Sequence, residues 1–257
     1  QLIGVDTSSI FHLAAVVSGA AEADFDLGLR VNLDATRGLL ERCRKLATPP
    51  KFVFTSSVAV FGGTLPDTLD DSTTPTPQTS YGIQKLIGEL LVADYSRKGF
   101  IDGRSVRLPT IVVRPGAPNA AASSFASGII REPIAGKVSV CPVPPETGVW
   151  LSSPSAVVAN IVHAHETPRS AWAAEPGLNL PGLTTTVSDM VAALKSVAGQ
   201  ATADRVQFQV DARINAIVQG WPVRFTTPRA MRLGFQRDAD VSTVVRTYFE
   251  EATGTTK

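Results

Sequence analysis

The sequence predicts an α/β fold: a doubly wound parallel sheet followed by a small C-terminal lobe. In the first half of the chain, short apolar runs typical of buried strands alternate with segments of helical period. The resulting order of strand, helix, strand, helix and strand is typical of a parallel sheet with crossover helices. After residue 115 the composition shifts toward Ala, Ser and Pro. We therefore expect a core over residues 1–115 and a lobe over residues 116–257, with segments of the lobe returning to the core.

The core is expected to begin with a strand, a helix and a second strand. Ile10–Ala15 (IFHLAA) is an apolar run followed by small residues, which predicts a buried strand that leads into a loop. Asp24–Leu46 repeats apolar residues at helical period, and Pro49-Pro50 follows, so we predict a helix there. Lys51–Thr55 (KFVFT) is rich in β-branched and aromatic residues, which predicts the second buried strand.

A loop, a helix and a third strand complete the predicted core. Residues 62–77 are polar and rich in Pro, Thr and Asp, as expected of a loop. A helix is expected from Tyr81, and the apolar residues that we place on one face of it are Ile83, Leu86, Ile87, Leu90 and Tyr95. Ser105–Val113 (SVRLPTIVV) predicts a strand that Pro109 interrupts.

The lobe shows weaker patterns. We predict a helix near Ser124–Arg131, a loop over Cys141–Gly148 and a short strand at Asn179–Pro181. Further helices are expected over Thr186–Ala198 and Thr243–Ala252. We assign the isolated tryptophans to core packing, and these are Trp150, Trp172 and Trp221.

Composition and charge favour a small-molecule partner. The net charge is +1, from 24 basic and 23 acidic residues, and no basic tract indicates a nucleic-acid partner. No apolar run reaches the roughly 18 residues of a membrane span, and no segment is typical of a signal peptide. The two cysteines, Cys43 and Cys141, are isolated and have no metal-ligand spacing. They indicate a reducing compartment, the cytoplasm, and we expect no metal site.

The segment TSYGIQKLIGELL, residues 79–91, places a tyrosine and a lysine one helical turn apart. Tyr81 and Lys85 are i and i+4, so on a helix they share one face. The lysine charge favours the phenolate and is expected to lower the tyrosine pKa from about 10, making the phenol a proton acceptor near neutral pH. The alternative is a half-buried tyrosine beside a surface lysine, and the motif alone does not decide between them.

The ends of the predicted strands strengthen the chemical interpretation. Ligands of parallel sheets bind at the carboxyl ends of the strands. The first strand is followed by the small segment 13–15, the second ends in residues 55–57, which are Thr-Ser-Ser, and the third is interrupted at residues 108–110. A hydroxyl at a strand end, followed by Tyr81 and Lys85 on the next helix, is a more specific pattern than the tyrosine and lysine alone.

Four motifs in this order resemble the extended short-chain dehydrogenase/reductases, the group that includes NAD-dependent sugar epimerases and dehydratases. They are FHLAA, Asn32 within RVNLDAT, FTSSVAVFG and SYGIQK, all within residues 10–116. The resemblance implies a Rossmann-like sheet with a substrate lobe, NAD as cofactor, and a homodimer joined through Asp24–Leu46 and Ile83–Arg97. The segment RLPTIVVRPGAPNAAASSFASGIIREP is similar to the branch of the family that oxidises small sugar acids such as D-erythronate.

The resemblance also implies roles for individual residues. Tyr81 is expected as catalytic acid/base, Lys85 as the group that lowers its pKa and holds the nicotinamide ribose, and Ser57 as hydrogen-bond partner of the reacting oxygen, with Ser56 the neighbouring alternative. Asn32 is expected to help place the lysine or its water. Besides Asn32, Tyr81 and Lys85, the expected cofactor-binding residues are Leu13, Ala14, Ala15, Thr55, Leu108 and Pro109.

On the substrate side we expect Ser57, Thr110, Arg114, Asn119 and Ser123. Arg114 follows a strand and could hold a substrate carboxylate, and pairing with a structural acid is the alternative. Asn119 and Ser123 lie near the start of a predicted helix, where they could bind a small carboxylate or cap the helix. His12 ends a buried strand, so we expect a packed, hydrogen-bonded histidine rather than a metal or acid/base role. His163 and His165 are two residues apart on a predicted helix and face different ways, so we discount a metal site there.

The sequence departs from the family pattern at its start. No Gly-rich turn, first strand or acidic residue for the adenosine ribose precedes Ile10. We expect about 60–70 further residues to supply them in a longer protein, on the usual layout of the fold. They would also carry the determinant that selects NAD or NADP.

The function expected from these residues and the resemblance is NAD-dependent oxidation of the C2 hydroxyl of a small sugar acid, such as D-erythronate, to the 2-oxo acid. Two alternatives stay open at this point. A nucleotide-sugar 4-epimerase or dehydratase would need a larger lobe with arginines for a diphosphate. A non-catalytic, cofactor-sensing scaffold would have no need of Ser57, Tyr81 and Lys85 together.

Overall fold

The computed structural model describes residues 3–117, 121–172 and 175–254. The strands are β1 (Ser9–His12), β2 (Lys51–Ser57), β3 (Asp102–Leu108), β4 (Thr110–Ile111), β5 (Ser139–Cys141), β6 (Gly148–Ser152), β7 (Leu178–Asn179), β8 (Leu183–Thr186) and β9 (Val206–Phe208). The α-helices are α1 (Ser18–Ala23), α2 (Phe25–Gly28), α3 (Ala35–Cys43), α4 (Ser80–Arg97), α5 (Ser124–Ile134), α6 (Pro154–Glu166), α7 (Val187–Ala198), α8 (Gln200–Ala203), α9 (Ala212–Gln219), α10 (Pro228–Arg232) and α11 (Val241–Thr253).

The main sheet is parallel, in the order β1-β2-β3-β7. The β2–β3 register pairs Lys51 with Asp102 and Ser57 with Leu108, so the two strands end together at one edge. Helices pack on both sides: α4 contacts β2 and β3, and α6 contacts the same two strands. The predicted α/β fold with a parallel sheet is confirmed. The division of the chain at residue 115 stays a prediction.

Proline 109 marks a change of sheet. β3 ends at Leu108, and β4 begins at Thr110 and pairs with β6 in a second sheet, where β6 runs antiparallel to β8. The predicted strand over Ser105–Val113 is therefore two strands in two sheets. A proline has no N–H to donate to a ladder, which explains why the main sheet does not continue through this point.

The chain around Asn32 differs from the single helix that we predicted over Asp24–Leu46. Asp24 caps α2 by accepting a hydrogen bond from the Leu27 N–H, and a π-helical turn over Leu29–Asp34 joins α2 to α3. π-Turns of this kind are frequent at functional sites. The first strand also ends at His12 rather than Ala15, which leaves residues 13–15 irregular at the carboxyl edge of the sheet.

The buried face of α4 is not the face that the apolar pattern predicted. Ile83 and Leu90 are 46% and 52% exposed, whereas Lys85 and Glu89 are buried. Close contact with β2 and with the turn after it explains the change. A Cβ at Gly88 would collide with the Phe54 ring of β2. A Cβ at Gly82 would collide with the carbonyl oxygen of Ala59.

One apolar cluster is built mainly from α5, α7, α11 and the strands β6 and β8, and it also includes Val112 and Val113. The helices predicted near Ser124–Arg131, Thr186–Ala198 and Thr243–Ala252 correspond to α5, α7 and α11. A capping box between Thr186 and Asp189 begins α7. Among the helices of residues 3–117, 121–172 and 175–254, none is long and apolar enough to cross a membrane.

Candidate active site

A cavity of about 490 Å³ opens at the carboxyl ends of β2 and β3. Its walls come from these strand ends, the start of α4, the segment after Pro109, β6 and the region of α9. The site residues predicted from sequence that line it are Ser57, Tyr81, Leu108, Pro109, Thr110, Arg114 and Ser123. The structure thus brings together residues from the core and the lobe that are far apart in the chain.

Tyr81 lies in the first turn of α4, next to the end of β2. Thr79 caps this helix through its side chain, which accepts a hydrogen bond of 3.1 Å from the Gly82 N–H. The Ser57 side chain accepts a hydrogen bond of 3.1 Å from the Ala59 N–H. Burial raises the pKa of Tyr81, and hydrogen bonding from Ser57 opposes that rise. The expectation that the tyrosine pKa is lowered is therefore wrong for this structure, because burial outweighs the groups that favour the phenolate.

Lys85 is buried one turn further along α4 and lies between Tyr81 and the sheet. Its Nζ donates a hydrogen bond of 2.7 Å to the Thr55 carbonyl oxygen and lies 5.7 Å from the centre of the Tyr81 ring. Burial lowers the lysine pKa from 10.5 to about 8, against an opposing influence of Glu89. The ammonium is therefore a cation held in an apolar setting, 4.8 Å from the centre of the Phe54 ring.

Asn32 connects the π-helical turn to the segment after β1. Its amide Oδ1 accepts a hydrogen bond of 2.8 Å from the Val16 N–H, and its Nδ2 donates to the Val16 carbonyl oxygen at 3.0 Å. Nδ2 also donates to Oε1 of Gln84, the residue before Lys85, at 2.8 Å. Asn32 is therefore placed to fix the edge of the sheet against α4, rather than to contact the lysine directly.

The remaining residues expected to bind cofactor lie beside or behind the cavity. Leu13 and Ala14 are exposed at the end of β1, and Ala15 is partly exposed. The Thr55 hydroxyl donates to the His12 carbonyl oxygen at 3.2 Å, so it is directed into the sheet. The contribution of Thr55 to the site is its carbonyl oxygen, which accepts the hydrogen bond from Lys85.

His12 has the structural role expected of it. The side chain is buried, its Nε2 lies 2.8 Å from the Thr36 hydroxyl oxygen, and it packs against two phenylalanine rings. Burial, with a smaller contribution from Lys85, lowers its pKa from 6.5 to about 4, so the ring is neutral at pH 7. Among the described residues, no group of three His, Cys, Asp or Glu side chains could hold a metal ion.

Arg114 is the cation of the cavity. It is the single lysine or arginine among the described residues that line the cavity, and its guanidinium has no hydrogen bond or ion pair to a described residue. Burial, followed by the nearby charge of Arg131, lowers the Arg114 pKa. We gave pairing with a structural acid as the alternative role of Arg114. Within the part of the chain that the structure describes, no acidic side chain pairs with it. A partly buried cation of this kind favours an anionic ligand.

Of the other residues expected on the substrate side, Ser123 and Thr110 line the cavity. Ser123 is the residue before α5, and its side chain makes no capping hydrogen bond, so helix capping does not account for it. Asn119 lies outside the described residues.

The sequence did not mark the apolar wall of the cavity, which includes Phe61, Val149 and Ile111. Trp150 and Trp221 pack in the apolar clusters, as predicted, and both also line the cavity, as does Ile217 on α9. Trp150 also stacks on Phe225, with ring centres 5.0 Å apart. No local pattern marks such residues, because their position depends on how the lobe folds back over the strand ends.

The comparisons with known proteins agree with this geometry. The profile of the NAD dependent epimerase/dehydratase family matches residues 3–147. The chain belongs to this family. The family resemblance stated from the motifs is thereby confirmed, and membership implies a nicotinamide cofactor.

Two curated relatives are similar along nearly the whole chain. D-erythronate dehydrogenase from Cupriavidus necator is 58% identical over 252 residues, which are 98% of this chain and 78% of that protein. D-erythronate dehydrogenase from Haemophilus influenzae is 50% identical over 250 residues, 97% of this chain and 79% of that protein. The expected oxidoreductase class agrees with both names.

Solved structures confirm the fold. The nucleoside-diphosphate-sugar epimerase from Agrobacterium tumefaciens superposes with a TM-score of 0.92 at 43% identity, covering 97% of this chain and 74% of that one. L-threonine dehydrogenase from Phytophthora infestans superposes with a TM-score of 0.86 at 22% identity, covering 97% and 80%. The second similarity is one of fold alone.

Proposed function

We propose that this member of the NAD dependent epimerase/dehydratase family oxidises the C2 hydroxyl of D-erythronate, or of a closely similar small sugar acid, to the 2-oxo acid. The observation that carries the proposal is that Ser57, Tyr81 and Arg114, a cation with no partner among the described residues, line one cavity. This set suits a substrate with a hydroxyl next to a carboxylate. The names of the two curated relatives support the same substrate.

The residues present suit a nicotinamide cofactor. The exposed apolar side chain of Leu13 and the small Ala14 offer a flat surface at the carboxyl edge of the sheet, where such ligands bind. Leu108 and Pro109 would pack beside the nicotinamide, and Lys85 would hold its ribose. We propose NAD rather than NADP. When bound, NAD⁺ supplies the acceptor for the hydride that leaves C2.

Side chains of this protein would transfer the proton of the C2 hydroxyl. In the proposed reaction Tyr81, as phenolate, accepts the proton of the C2 hydroxyl, while Ser57 hydrogen-bonds the same oxygen. The C2–H and O–H bonds break and a C=O bond forms, which gives the 2-oxo acid. Because burial disfavours the phenolate, a nearby positive charge is needed, and Lys85 supplies it from the next turn of α4.

Arg114 would bind the carboxylate of the substrate. Its planar guanidinium can form two parallel hydrogen bonds to a carboxylate, which would fix C1 and orient C2 toward Tyr81. Ser123 and Thr110 line the same cavity and could add hydrogen bonds from their hydroxyls. The apolar wall of Trp150, Trp221 and Ile217 would exclude water from the reacting carbon.

The alternative of a nucleotide-sugar epimerase has one supporting observation, the name of the Agrobacterium protein. A diphosphate carries more negative charge than a single carboxylate. Arg114 is the one lysine or arginine among the described residues lining the cavity, and this favours the smaller acid.

The decisive experiment measures NADH formation with purified protein, NAD⁺ and a set of acids that includes D-erythronate and its enantiomer, with UDP-galactose tested in parallel for epimerisation. We expect turnover of D-erythronate and no epimerisation. Epimerisation without acid oxidation would overturn the proposal. Tight NAD⁺ binding without turnover of any substrate would instead favour the scaffold.

We also propose a homodimer, located in the cytoplasm. Phe25, Ile83 and Leu90 are 58%, 46% and 52% exposed, and they lie on α2 and α4, within the segments expected to form the interface. Sedimentation velocity is expected to show twice the monomer mass, and a monomer at all concentrations would reject the dimer. The buried free thiols of Cys43 and Cys141 suit a reducing compartment.

A further inference from the structure

A buried ion pair lies directly behind the candidate active site. Glu89, which is fully buried, accepts a bidentate interaction from Arg107: Nε donates to Oε1 at 2.9 Å and Nη2 donates to Oε2 at 2.7 Å. Arg107 is 6% exposed. Neither residue lines the cavity, and the proposed reaction assigns them no role.

Each partner is joined to elements of the site. Glu89 follows Tyr81 and Lys85 at the next i+4 step of α4, so the three residues lie on one face of the helix. Arg107 directly precedes Leu108 and Pro109, which line the cavity. The ion pair therefore connects the helix that carries the proton-transfer groups to the strand end expected beside the nicotinamide.

Further contacts of Arg107 extend this connection. Its Nη1 donates to Asn179 Oδ1 on β7 at 3.3 Å, and its guanidinium carbon lies 5.1 Å from the centre of the Phe61 ring. Phe61 itself lines the cavity. The Arg107 guanidinium thus contacts α4, β7 and the segment that contains Phe61. Its planar group forms hydrogen bonds of defined direction as well as defined length.

We propose that the Glu89–Arg107 pair positions Lys85 and the start of α4 against the end of β3, and that Glu89 and Arg107 are positioning residues for the reaction. The inference rests on the proposed function for its kinetic meaning. Packing alone is a weak explanation, because apolar residues of similar volume replace buried ion pairs with little loss of stability. An apolar pair would lack the directional hydrogen bonds between Arg107 and Glu89. It would also lack the negative charge of Glu89, one helical turn from Lys85.

The electrostatics around Lys85 agree with this role. The groups that face its ammonium are Tyr81 and Glu89 from α4, His12 from β1, and the Thr55 carbonyl and Phe54 ring from β2. With His12 neutral at pH 7, Glu89 is the negative charge that raises the Lys85 pKa against burial.

The test replaces the pair by methionines, Glu89→Met with Arg107→Met, so that no buried charge is left alone. The matched control is Asp102→Met with Arg104→Met, an ion pair near the other end of β3 whose arginine is also buried. NMR titration of lysine side chains labelled with ¹³C reports the Lys85 pKa without substrate, and a Lys85→Arg sample identifies the signal. Steady-state kinetics and thermal unfolding are measured on the same proteins.

We expect the Lys85 titration to move to lower pH in the Glu89/Arg107 variant and to stay in place in the control, with kcat reduced about 10- to 100-fold only in the former. An unmoved Lys85 titration in a folded Glu89/Arg107 variant would overturn the inference. So would an equal loss of kcat in the control. If wild-type protein does not oxidise D-erythronate, the proposed function fails, and the NMR titration still decides the inference.

Discussion

The ammonium group of Lys85 lies 2.7 Å from the carbonyl oxygen of Thr55, to which it donates a hydrogen bond. This bond joins the buried lysine of α4 to β2, two residues before Ser57. The bond therefore fixes the lysine of α4 to the strand that ends in Ser57.

Burial of Lys85 makes the stability of the fold depend on pH in the alkaline range. The Lys85 pKa is lowered from 10.5 to about 8, so between these values the unfolded chain binds the proton and the folded chain does not. The free energy of unfolding should therefore rise as pH rises through this range, by about 3 kcal/mol from this group. Urea unfolding of wild type and Lys85→Met at several pH values isolates the contribution. Parallel pH profiles of the two proteins would show that the lysine is not the cause.

Replacement of Tyr81 by phenylalanine removes the proposed proton acceptor. We expect kcat for D-erythronate to fall by about 10²–10⁴-fold, while NADH binding, followed by fluorescence, is retained. Tyr95→Phe is the control, since Tyr95 lies on the same helix and hydrogen-bonds Glu41 away from the cavity. Full turnover by Tyr81→Phe would exclude the phenol as acid/base.

Replacement of Arg114 tests the carboxylate site. Hydrogen bonds to a charged group contribute about 1.5–3 kcal/mol, so Arg114→Gln should raise KM for the acid about 10- to 100-fold. Arg114→Lys should recover part of the loss, because the charge stays and the planar fork is lost. Arg97→Gln, at an exposed ion pair, is the control. A KM that stays at the wild-type value in Arg114→Gln would place the carboxylate elsewhere.

His12 makes the fold sensitive to mild acid. Its pKa is lowered from 6.5 to about 4, so the unfolded chain takes up the proton first as pH falls. The free energy of unfolding should fall between these pH values, by about 3 kcal/mol from this residue. His12→Gln, which keeps a polar group near Thr36, should lose this part of the pH dependence. His165→Gln should keep it, and if both variants behave alike the assignment to His12 is wrong.

Gly82 tests how closely α4 must approach the turn at Val58–Val60, which follows β2. Gly82→Ala should lower the free energy of unfolding by about 1–3 kcal/mol, because the new methyl group meets the Ala59 carbonyl oxygen. Gly38→Ala is the matched control in α3, where a Cβ meets no atom within 4 Å, and should stabilise the helix by up to about 1 kcal/mol. Chemical unfolding measures both. Equal effects at the two sites would reject close packing as the reason for Gly82.

Features that depend on residues close together in the sequence could be predicted from it. The apolar runs around Phe52 and Val106 are local, and they became paired strands of the main sheet. Tyr81 and Lys85 share a helix, so their spacing alone predicted a common face. Ser57 could be placed beside them because the ends of parallel strands share one edge.

Other features depend on tertiary contacts and could not be predicted. Ile83 and Leu90 are exposed because α4 packs closely through Gly88 against Phe54 of β2 and through Gly82 against the turn after β2. The direction of the Tyr81 pKa shift follows from burial, which a spacing of four residues does not encode. The positions of Trp150 and Trp221 in the cavity wall depend on the folding of the lobe.

The passage of the chain from β3 to β4 at Pro109 has an evolutionary consequence. Every residue proposed for proton transfer precedes this proline, and Arg114 and Ser123, proposed to hold the carboxylate, follow it. Chemistry and selectivity are therefore encoded on opposite sides of one position. Substitutions after this position can change the residues proposed to bind the substrate while Ser57, Tyr81 and Lys85 stay unchanged.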